Sequence, residues 1–117
     1  MNKYNEHDFD MALADFQDFI KADYVRWWGD RKDEPSVKQM IAERTIRFDR
    51  GRNYLKVISK DNQSSVHCFI VIKPTKGFKF GDILKAASWS APATNFARGN
   101  VLDPASYVKS VTWTGAH

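Results

Sequence analysis

With 117 residues, 43% of them hydrophobic and 14% aromatic, the chain holds enough apolar mass for one core and too little for two, which excludes a disordered tail and a multi-domain assembly. A single cysteine, Cys68, excludes an internal disulfide, and no apolar run approaches the ~20 residues needed to span a bilayer. The net charge of +4 divides unevenly: residues 1–43 hold 6 Lys and Arg against 10 Asp and Glu, net −4, whereas residues 44–117 hold 12 against 4, net +8.

In chain order, Phe9, Leu13, Phe16, Ile20, Tyr24 and Trp27 recur at steps of three and four, the spacing that gathers side chains on one helical face. An amphipathic helix over residues 7–28 is predicted. Glu6, Asp8 and Asp10 complement the positive end of its dipole, Arg26 the negative end, and Gly29 stops it. Pro35 then suits a first helical turn, and Val37, Met40 and Ile41 mark a short second helix ending before Arg44.

From Thr45 the period changes to two. "TIRFD" and "YLKVIS" read as strands joined at "RGRN", where Gly51 and Asn53 tolerate the positive φ of a hairpin turn. "SVHCFIVIK" sets Val66, Cys68, Ile70 and Ile72 on one side and Phe69 and Val71 on the other, the mark of a central strand. A basic connection, "PTKGFKFGD", leads to "ILKAAS", residues 83–88, read as a returning strand with a short helix capped by Asp82 as the competing reading. "YVKSVTW", residues 107–113, closes the chain as a last strand whose exposed edge is able to pair with its twin, so the oligomeric state is left open. The sum is a single α+β domain: an N-terminal amphipathic helix and a short second helix packed on a mainly antiparallel sheet of four or five strands.

The chemistry-bearing residues argue against an enzyme. His7, His67 and His117 are spaced neither from one another nor from Cys68 like metal ligands, so no metal and no cofactor is expected. Cys68 lies in "VHCFIVI" and reads as a buried hydrophobe. No nucleophile turn surrounds Ser64, Ser65, Ser88 or Ser90, and Asp49, Asp61, Asp82 and Asp103 lie in turns where Asp bonds local backbone. Gly81 and Gly99 lack the companion glycines of a phosphate loop.

What recurs instead is a cation beside a ring or an amide, in "RFDRGRNYLK", "KGFKF" and "NFARGN". Guanidinium groups grip phosphates bidentately, lysines act as mobile point charges, and exposed rings offer faces on which unpaired bases stack. The expected nucleic-acid-binding set is therefore Arg47, Arg50, Arg52, Tyr54, Lys56, Lys76, Phe78, Lys79, Lys85, Trp89, Arg98 and Asn100. Against that stands the plainer reading that the rings fill the core and the cations coat a sheet. In "WSAPATNFARGN", Trp89 and Phe96 are expected to pin a loop against the core and so present Arg98 from a fixed backbone.

"VHCFIV", "GDILKAASWSAPATNFARGNV" and "VTWTG" together resemble a group of small proteins encoded by tailed bacteriophages. Those carry Val-His-x-Phe-Ile, a Gly-Asp turn, Leu-Lys-x-Ala-x-Trp, Ala-Pro-Ala and Arg-Gly-Asn in that order. The likeness covers residues 66–115; the first 43 residues carry none of it, and the loop between Ile72 and Gly81 is longer than the short turn of that group. The resemblance implies a phage origin and action in the cytoplasm of the infected bacterial cell, without a mechanism. The expectation is thus a phage-encoded RNA- or single-stranded-DNA-binding protein, the alternative a protein-binding inhibitor of a host enzyme or defence complex.

Overall fold

The computed structural model describes residues 6–117. Helix α1 (Glu6–Trp28) leads through a 3₁₀ turn (Gly29–Asp33) into α2 (Pro35–Glu43), which starts at the proline because Pro35 has no N–H to leave unpaired. Strands β1 (Thr45–Arg50), β2 (Tyr54–Lys60), β3 (Ser64–Val71) and β4 (Ile83–Leu84) form an antiparallel sheet in that order. After a second 3₁₀ turn (Pro104–Ser106), β5 (Val111–Thr112) and β6 (Gly115–Ala116) make a separate hairpin. This is the expected α+β arrangement, with four strands in the main sheet.

The stripe on α1 does what its spacing predicts for five of its six members. Phe9, Leu13, Phe16, Ile20 and Tyr24 are buried, the first four meeting Leu55, Val57, Cys68, Ile70 and Ile83 from the sheet. Each such side chain contributes roughly 1.5–3 kcal/mol by leaving water. Trp27, the sixth, is 60% exposed and lies against Trp28 and Trp113 at ring separations of 5.0 and 5.1 Å.

Sheet register explains where the alternation fails. Val57 pairs with Cys68 and Ile58 with Val66, so His67 is an extra residue, a β-bulge in β3. The bulge sends Val66 to the opposite face from Cys68 and Ile70, where it joins Phe69, Val71 and Leu84 in a second apolar cluster. His67 turns toward α1, its ring edge-on to Phe16 at 6.0 Å. A two-residue period cannot foresee an inserted residue.

Three further expectations are corrected. At the β1–β2 turn neither Gly51 nor Asn53 has positive φ. Glycine serves there by size, since the Gly51 N–H donates to the Tyr54 carbonyl at 2.9 Å and a Cβ would sit 2.9 Å from that same oxygen. Residues 83–88 are neither a six-residue strand nor a helix: pairing ends at Leu84, and the Ala87 and Ser88 N–H groups both donate to the Ala91 carbonyl, closing a turn. The Ser88 hydroxyl caps that turn by accepting from Ala91 N at 3.1 Å. Residues 107–113 are likewise not one strand. Tyr107 is inserted between Phe16 and Phe19, at 5.1 Å from each, and the chain winds into a helical turn behind it, with Val111 N bonded to the Tyr107 carbonyl. Only Val111–Thr112 extends, and it pairs with Gly115–Ala116, so the strand is two residues long rather than seven.

Candidate nucleic-acid interface

The face of the sheet turned away from α1 carries Tyr54 and Lys56 on β2 and Phe69 on β3, because alternation puts residues two apart on one side and Lys56 lies directly opposite Phe69. The β1–β2 turn lifts Arg50 and Arg52 beside them, and its tip is anchored by the Asn53 carbonyl, which accepts from Ile72 N and Lys73 N. Across this surface leans the turn of residues 87–91, bringing Trp89 over Lys56 with Nζ 4.8 Å from the ring centroid. Together they enclose an open groove of about 360 Å³ lined by Asp49, Arg50, Arg52, Tyr54, Lys56, Phe69 and Ser90. Trp89 is 49% exposed, so its ring is available to a ligand; neither it nor Phe96, at 56%, pins the loop into the core as expected.

The groove's charges are unequally committed. Arg47 forks onto Asp49 at 3.0 and 3.3 Å, which raises its own pKa and holds the Asp49 carboxyl below the usual range, chiefly through that hydrogen bond. Arg47 thereby neutralises the one acid in the groove. Among the described residues the one ion pair of Arg50 is a loose contact to Glu6 at 3.8 Å between exposed groups.

Other members of the expected set lie elsewhere. Lys76 sits in the tight turn Thr75–Phe78, and Phe78 packs into the apolar cluster with Phe69, Val71 and Leu84. Lys79 and Asn100 line a different polar hollow, of about 460 Å³, with Asp82, Asp103 and Ser106. Lys85 is exposed just beyond β4. Arg98 is buried, and its Nη1 donates to Asn95 Oδ1 at 2.8 Å and to the Phe96 carbonyl at 2.6 Å while its guanidinium lies 3.9 Å from the Phe96 ring centroid. It locks its own loop rather than reaching outward. Asn100 is equally occupied: Nδ2 donates to the Phe80 carbonyl and Asp82 Oδ1, both at 3.0 Å, and Oδ1 accepts from Leu102 N.

One grouping escapes the sequence reading. Tyr24 and Trp27 from α1 meet Trp113, Trp28 packs against both of those α1 rings, and Arg44 rests against the Tyr24 and Trp113 rings at 4.9 and 4.8 Å from their centroids. Asp23 ties this end together by accepting from Trp113 N at 2.8 Å. The Trp27–Trp28 doublet at a helix end is the one local signal; Trp113 joins only through the tertiary fold.

Cys68 and His67 are both buried. Burial raises the Cys68 thiol pKa, and it drives the His67 ring down to about 4 although Nε2 donates to the Thr112 carbonyl at 2.7 Å. Among the described residues no group of three or more His, Cys, Asp or Glu is placed to hold a metal ion, and no helix is long and apolar enough to cross a membrane.

Residues 2–117 match a family described as a family of unknown function (DUF7717), and the chain belongs to that family. No curated protein and no solved structure matches it.

Proposed function

We propose that the protein binds single-stranded nucleic acid, RNA or DNA, in the groove between the β1–β2 turn and residues 87–91. The observation that carries this reading is the half-exposed Trp89 ring held over Lys56 beside the groove that Lys56 lines together with Arg50 and Arg52. A base stacked on Trp89 meets a flat apolar face, while Arg50, Arg52 and Lys56 supply positive charge for the phosphates beside it. Action is by binding without bond chemistry, and its setting, following the resemblance to phage proteins, is the cytoplasm of an infected bacterial cell.

The test is anisotropy titration of labelled single-stranded RNA and DNA against salt. With three cations at the backbone, log affinity falls against log salt with a slope of about −2. Loss of the stacking surface in Trp89→Ala weakens binding by about 5- to 100-fold, and Arg52→Ala with Lys56→Ala flattens the salt slope. Binding that survives both changes unaltered disproves the site.

A second reading, an inhibitor that docks on a host protein, is favoured by the cluster around Trp27, since exposed tryptophan and arginine make the strongest protein-contact residues. Trp27→Ala separates the two: it leaves the groove intact and removes the centre of that surface.

A further inference from the structure

On the helix-covered side of the sheet, α1, α2 and β1 do not close completely. Between them lies a cavity of about 150 Å³ whose walls are Ile20 and Tyr24 from α1, Ile41 and Ala42 from α2 and Ile46 from β1. Two further residues line it, Lys21 and Arg44, both cations, and no acid does. We propose that this cavity binds a small carboxylate with a compact apolar body, of the size of benzoate or a branched short-chain acid.

Volume, lining and charge each set one property of the ligand. An apolar cavity of about 150 Å³ is the size that accepts a benzene ring. The three isoleucines and the alanine offer such a ring no hydrogen bond, so its body is hydrocarbon. The cations at the margin decide the sign of its polar end. Arg44 is the better placed, because its guanidinium rests against both the Tyr24 and Trp113 rings and is bonded to Asp61, which limits its freedom, and a preset fork loses little more when it grips a carboxylate. Only Nη1 has an acidic partner, Asp61 Oδ2 at 3.1 Å, and that carboxylate is half exposed. The Arg44 Nε–H is buried without an acceptor, a costly state for a donor, which marks this arginine as incompletely satisfied by the fold alone. Lys21, exposed on α1, supplies a second positive charge at the rim.

The cavity lies on the opposite side of the sheet from the Trp89 groove, since Ile46 packs with the α1-side core while Phe69 belongs to the other cluster, so the two assignments stand or fall separately. The experiment is an NMR amide titration of the full chain with benzoate, benzylamine and toluene in parallel. Benzoate is expected to shift the Ile41, Ala42 and Ile46 amides saturably, with a dissociation constant of about 1 mM or lower, as befits so few atoms. Benzylamine, with the wrong charge, and toluene, with none, bind at least about tenfold more weakly. Lys21→Glu, an exposed change that leaves the core alone, weakens benzoate about three- to tenfold. Ala42→Phe, exposed on α2 yet facing the cavity, fills it and abolishes the shifts. Absence of saturable shifts, shifts confined to other residues, equal binding of the three probes, or undiminished binding by Ala42→Phe each overturns the proposal.

Discussion

His67 shows how one inserted residue acquires a measurable role. The bulge turns its ring into the core, where Nε2–H is spent on the Thr112 carbonyl and Nδ1 has no partner. A proton on Nδ1 would place an uncompensated charge among apolar groups, which is why the folded-state pKa lies at about 4 against an ordinary 6.5. Between these values the unfolded chain binds the proton and the folded chain does not, so stability is full above pH 6.5 and declines as pH falls towards 4. The slope approaches about 1.4 kcal/mol per pH unit and the total about 3 kcal/mol. Urea denaturation at a series of pH values measures it, and His67→Gln flattens that window. Asn100 carries a different load. Asn100→Ala removes the donor shared by the Phe80 carbonyl and Asp82 Oδ1 and the acceptor of the Leu102 N–H, while Asp82 Oδ2 keeps the Lys79 N–H, for a cost of about 2–3 kcal/mol in the same assay. Asn100→Asp costs more, because it sets a second carboxylate at hydrogen-bond distance from Asp82.

At the scale of elements, the β1–β2 hairpin is the one that governs the groove. Gly51→Ala pushes a methyl against the Tyr54 carbonyl, so the turn opens and Arg52 shifts away from Lys56. The expected result is a loss of about 1–2 kcal/mol in stability and weaker nucleic-acid binding in the anisotropy assay. This hairpin, α1, α2 and most of β3 were legible from residue patterns, because their order comes from period and from turn-forming residues close in the chain. Residues 81–117 were not. Their course is set by side chains bonding distant backbone, as Asn100 does to Phe80, and by Tyr107 seeking the space beside Phe16. The same division applies to the site. Arg50, Arg52, Tyr54 and Lys56 are neighbours in sequence and remain so in space, whereas Trp89 reaches them only through the fold. Arg98 and Asn100 were misread as outward-facing because polar side chains beside glycine turns have backbone of their own to satisfy.

Across the whole molecule, the sheet separates two different surfaces: a cationic groove with an exposed ring on one face, and an apolar cavity rimmed by Lys21 and Arg44 on the other. Both depend on a core that joins the two ends of the described chain. Phe9, Phe16 and Ile20 share it with Tyr107, Val111 and Ala116, and Asp23 latches Trp113. A nascent polypeptide emerging from the ribosome therefore displays the greasy side of its first helix long before Tyr107 is synthesised. Contacts so remote along the chain delay closure, so until Tyr107 follows, that apolar face stays open to non-native contacts.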